Sequence, residues 1–165
     1  MDSSFNPSAW HDFAIAVAGA SAALAGLLFV AMSINVREIL SEASLPSRAA
    51  GAIVTLVTPL IFSIFLLVPA SSKNVLGIEL IGVGVVAGVA LARLLGPHES
   101  DGRSASAWLF GTALPATLLA GATTLAGVGI LTTAIGGLSW LVVAVIAAIF
   151  GGLLQAWVLL IEILR

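Results

Sequence analysis

The chain has no cysteine, no tyrosine and little charge: acidic and basic residues together make up 8% of its 165 residues. Without cysteine there is no disulfide, no thiolate metal site and no thiol nucleophile, although this does not fix the compartment. Without tyrosine there is no phenolic acid, base or radical carrier. The shortage of charge excludes more, because a soluble domain carries about a quarter charged residues to cover its water-facing surface. A net charge of −2 with no basic run leaves no electrostatic footprint for nucleic acid. Also missing are the Gly-x-Ser-x-Gly elbow, the His-Glu-x-x-His pair, a phosphate-binding glycine loop, a potassium-filter segment and an arginine ladder. His11 and Asp12 are adjacent but have no second ligand cluster, and His98 belongs to a polar loop. The sequence therefore implies no catalytic residue, metal or cofactor.

What is present is apolar: 60% of the residues are hydrophobic and the mean hydropathy is +1.19. Continuous apolar runs occupy about 13–35, 49–69, 75–95, 108–133 and 138–164. Each is close to the ~20 residues needed to cross a ~30 Å hydrocarbon core. The runs lack the alternation of a membrane barrel, so they are expected to be helices. The fold class is all-α, a single polytopic transmembrane bundle of about five spans in contact with the lipid bilayer. Met-Asp-Ser-Ser lacks the positive n-region of a secretory signal, and the first run reads as a permanent anchor. Arg37, Arg48, Arg93, Arg103 and Arg165 fall on one side of such a bundle and Lys73 on the other. The positive-inside rule then puts the N-terminus outside and the C-terminus in the cytoplasm. Trp10 and Trp140 fall at the outer boundary, and Trp108 and Trp157 at the inner one.

Four polar side chains inside or at the ends of the runs carry the chemical information. Glu79 lies about one turn past the outer boundary of the third run and shares a side with Gly82, Val86 and Arg93. It is either an ion or proton ligand in a cavity, or a carboxyl that fixes packing. Gln155 follows Ala144, Ala148 and Gly151 on one face of the fifth run, with Glu162 seven residues further on. Glu162 is level with Arg93 and Arg37, which allows an ion pair at the cytoplasmic boundary. Pro59 and Pro115 are expected to kink their helices, with Thr55, Thr58 and Thr112 near enough to satisfy the freed groups. Small residues form two further stripes, Ala14/Ala18/Ala22/Gly26 and Gly77/Gly84/Gly88, suited to close helix contact.

The segments 18–35 (AGASAALAGLLFVAMSIN) and 156–165 (AWVLLIEILR) resemble a group of small actinobacterial multi-pass membrane proteins. Some of these are labelled as modulators of a membrane-bound ATP-dependent protease. The resemblance implies a bacterial cytoplasmic membrane location and transfers no catalytic residue. Two functions remain open from the sequence. One is a non-enzymatic bundle acting as a homo-oligomer or as an accessory subunit of another membrane protein. The alternative is a small ion or proton channel or transporter using Glu79 and Gln155.

Overall fold

The computed structural model describes residues 4, 6–42, 44–69, 72–96, 108–134 and 136–163. The expectations for His98, Arg103 and Arg165 lie outside the described residues, as does the side chain of Glu162 and with it the proposed pairing to Arg93 or Arg37.

A 3-10 turn at Pro7–Trp10 leads into α1 (His11–Ile34), followed by α2 (Val36–Ser41), α3 (Leu45–Leu67) and α4 (Lys73–Leu95). A π-turn at Leu109–Ala113 opens α5 (Leu114–Thr132), and a 3-10 turn at Gly137–Ser139 opens α6 (Trp140–Ile163). Five of these helical segments are long and apolar enough to cross a membrane. The 24 residues of α1 span about 36 Å at 1.5 Å per residue, more than the hydrocarbon thickness. Large apolar side chains such as Phe29, Ile64, Ile78, Val86, Phe110 and Phe150 stay exposed around the bundle. Water would penalise such a belt and lipid does not. The molecule is a multi-pass membrane helical bundle.

Local sequence explains where the helices stop. Asn35 leaves helical geometry, and its side-chain amide donates to the Ala31 carbonyl at 2.8 Å. Ser72 caps α4 by accepting from the Val75 amide. Beyond α5 the chain reverses through left-handed residues at Thr133 (φ 52°), Gly136 (φ 80°) and Gly137 (φ 49°). The two glycines take this geometry without the Cβ penalty that Thr133 bears. The Ser139 hydroxyl donates to that of Ser4 at 3.3 Å, so the start of the chain and this reversal share one end of the bundle.

Four helices close a ring in which α3 packs on α4, α4 on α5, α5 on α6, and α6 back on α3. Phe62, Leu76, Leu80, Leu119, Leu141 and Ala148 fill its interior. The first helix lies outside this ring, packed on α3. Gly77, Gly84 and Gly88 all face α5: a methyl at Gly84 would meet the Ala120 carbonyl at 2.8 Å, and one at Gly88 would meet Ala120 Cβ at 3.1 Å. That stripe is thus used inside the molecule.

The α1 stripe behaves differently. Ala14 is fully buried and Ala18 half-buried, while Ala22 and Gly26 are exposed. A four-residue repeat advances about 400° on a helix of 100° per residue, so it drifts some 40° at each step. The face actually buried is Ala14, Val17, Ser21 and Leu28. A second difference is α2, which continues helical structure through Arg37 and Glu38, residues that mark a water boundary in the sequence. Its Ile39 is buried in one cluster with Leu45, Leu56 and Leu159, whereas Val36 and Leu40 are exposed.

Pro59 sits inside α3 and is fully buried. The Thr55 and Thr58 hydroxyls donate to the Gly51 and Val54 carbonyls, neither of which is the Thr55 carbonyl that the proline frees. These threonines satisfy their own hydroxyls within the helix rather than repair the proline gap. At Pro115 the adjustment is in the backbone. The π-turn at Leu109–Ala113 immediately precedes it, widening the helix where the ring would crowd the carbonyl four residues back.

Candidate functional site

Among the described residues, Arg37, Arg48 and Arg93 lie at one end of the bundle and Lys73 at the other. At the arginine end a cavity of about 210 Å³ opens between α3, α4, α5 and α6. Ser44, Ser47 and Arg48 from the first turn of α3 form one wall. Trp108, Gly111 and Thr112 from the π-turn form a second, and Gln155, Leu154, Val158 and Leu159 from α6 a third. Leu95 and Gly96 close it from the end of α4.

Glycine contacts bring these walls together. A methyl at Gly151 would lie 2.6 Å from Pro115 Cβ, and one at Gly152 would lie 2.5 Å from Leu56 Cδ2. Only a bare backbone lets α6 sit this close to both α5 and α3. Gln155 is one turn beyond Gly151 on the same face, so the approach carries its amide into the interior. The indole N–H of Trp108 donates to the Leu95 carbonyl at 3.0 Å, which fixes the start of the π-turn to the end of α4. The Ser47 hydroxyl donates to the Ser44 carbonyl at 2.9 Å.

The Gln155 side chain is 7% exposed, and neither its Oε1 nor its Nε2 has a hydrogen-bond partner among the described residues. A buried amide left without partners costs about 1–3 kcal/mol. The Ala144, Ala148, Gly151 and Gln155 stripe is buried along its whole length.

Glu79 lies in a separate place. It is half-buried in an open groove of about 520 Å³ between α3 and α4, beside Thr58, Ile61, Phe65, Gly82 and Val86. Its Oε2 is buried without a hydrogen-bond partner. Glu79 and Gln155 line different cavities, and Arg93 lines neither, being exposed in the last turn of α4. A cation there complements the negative end of the helix dipole. Among the described residues no three His, Asp or Glu side chains come together to hold a metal ion.

No family model, curated protein or solved structure matches the chain.

Ser44, Ser47, Arg48, Trp108 and Thr112 join the cavity although the sequence does not single them out for it. Arg48 had one legible signal, a cation in the first turn of a helix, where the macrodipole is already positive.

Proposed function

We propose that the protein is a non-enzymatic bacterial membrane bundle that acts by association, with α1 as its contact helix. One observation carries this reading. The first helix sits outside the four-helix ring, and a methyl at Gly19 or Gly26 would meet nothing within 4 Å. Gly19 with Ala23, and Ala22 with Gly26, are small-x-x-x-small pairs on its exposed side. In lipid such pairs are what allow two backbones to approach, because apolar burial offers no drive for helices to associate there. The reading takes the occupant of this face to be a second copy of the chain. In its accessory form the partner is another membrane protein.

Native mass measurement in mild detergent tests it. A discrete oligomer that Gly19→Leu and Gly26→Leu convert to monomer supports the reading. A strictly monomeric wild-type particle that co-purifies with nothing rejects it. The orientation proposed with this function, N-terminus outside, is checked by single cysteines. Ser72→Cys and Ser139→Cys should react with an impermeant reagent on intact cells, and Ser41→Cys only after permeabilisation. The channel reading rests on the Glu79 groove, and proton or cation flux in liposomes that changes in Glu79→Gln would favour it.

A further inference from the structure

We propose that the cavity at the arginine end binds a phosphate group, with the Gln155 amide as a principal ligand. This inference is independent of the association reading, since α1 contributes no wall to the cavity.

Three features of the cavity ask for an anion with several acceptor oxygens. The first is the Gln155 side chain, more than nine-tenths buried, whose Nε2 supplies two N–H donors with no partner among the described residues. The second is that α3 begins at this cavity, at Ser44, with no side-chain cap. Uncapped first turns present backbone N–H groups and the positive end of the macrodipole. The third is Arg48, whose guanidinium adds charge of the same sign on the same wall. No acidic side chain of the described residues lines the cavity. The volume of about 210 Å³ accommodates a phosphate and its first substituents but not a whole lipid.

The flanking surfaces identify the source of the phosphate. An almost wholly apolar groove of about 390 Å³ runs along α4 and α5 past Gly88, Ala92, Ala116 and Ala120. It shares Leu95, Gly96, Trp108 and Thr112 with the cavity. A second apolar groove of about 370 Å³ runs between α1 and α6 and meets the cavity at Leu159. A cavity at a membrane-facing helix end that holds Arg48 and Gln155 and is continuous with apolar grooves fits an anionic phospholipid with its phosphate inside and its acyl chains along the helices. Basic pockets between spanning helices recognise such headgroups by this chemistry.

The test is binding to the full chain in mild detergent, read by native mass spectrometry and by the lipid-induced rise in melting temperature. The probes are phosphatidylglycerol, phosphatidylcholine and inorganic phosphate. Phosphatidylglycerol should bind at least roughly tenfold more tightly than phosphatidylcholine, whose choline brings positive charge to Arg48. Gln155→Leu should weaken it about tenfold, the loss of roughly 1.4 kcal/mol. This substitution removes an unpartnered amide at nearly constant volume, so the lipid-free melting temperature should not fall. Arg48→Gln provides a second, independent loss of affinity. Protection by inorganic phosphate equal to that by phosphatidylglycerol, and lost in Gln155→Leu, would support the phosphate site and assign it to a free anion. Equal binding of the two lipids with no effect of phosphate, or phosphatidylglycerol binding unchanged in Gln155→Leu, would overturn the proposal.

Discussion

Replacing Gly127 with alanine probes a crossing where two backbones meet without intervening side chains. A methyl carbon at Gly127 would lie 2.5 Å from the Gly77 carbonyl oxygen, 2.8 Å from Ile81 Cγ1 and 2.9 Å from the Ile81 amide nitrogen. Two of these three neighbours are backbone atoms and have no rotamer to adopt, so α4 and α5 must separate. Restoring ordinary contact requires roughly 0.5–1 Å, a gap that forfeits about a quarter to a half of the dispersion attraction across it. Overpacking of this kind costs about 1–3 kcal/mol, and the upper end is expected where the obstacle is main chain. Two other glycines calibrate the effect. At Gly51 a methyl meets only Leu95 side-chain carbons, the nearest at 2.5 Å, which can rotate aside, so about 1 kcal/mol is expected. At Gly26 nothing lies within 4 Å, and alanine should be neutral or slightly stabilising. Reversible unfolding in mixed detergent micelles, titrated with a denaturing surfactant, gives the three values on one scale. The expected order of destabilisation is Gly127→Ala, then Gly51→Ala, then Gly26→Ala. Equal stability of the Gly127 and Gly26 variants would refute the claim that this crossing is limited by backbone contact.

The same unfolding assay reads three further changes. Trp108→Phe removes the indole donor to the Leu95 carbonyl and should cost about 1 kcal/mol; no loss would mean the bond does not join α4 to the π-turn. Thr133→Gly relieves a β-branched residue from left-handed geometry and should stabilise by about 1 kcal/mol, whereas a loss would argue against strain at φ 52°. Glu79→Met replaces a carboxyl with an unpartnered oxygen in an apolar groove and should raise stability by about 1 kcal/mol. A fall would point to a partner for that carboxyl in the membrane.

The long helices were legible because lipid demands one simple property, an unbroken apolar run, and the sequence writes it five times. The inward face of α6 was legible for a related reason: alanines and a glycine in line with a glutamine form a strip poorly suited to facing lipid. Other features depend on geometry that a linear pattern does not carry. The α1 stripe, read as one face at spacing four, rotates from Ala14 inside to Gly26 outside because the helix period is 3.6. The short α2 helix buries Ile39 in a cluster that also draws on Leu28 and Leu159, parts of the chain distant from it. The cavity is harder still, since Ser44 and Gln155 are remote in sequence and line one space only because Gly151 and Gly152 let α6 approach Pro115 and Leu56. The unpartnered amide of Gln155 becomes apparent only once every neighbour is in place.

The closure of the ring by α6 against α3 has a consequence for how the molecule is made. The α3–α4, α4–α5 and α5–α6 contacts join neighbours in sequence and can form as each helix enters the membrane, whereas α3–α6 must wait for α6. Arg48 is therefore made long before the α6 wall that shares its cavity and carries Gln155. The cavity is absent from every intermediate that lacks a docked α6. Until then the two residues are offered to lipid separately, and only ring closure offers them together.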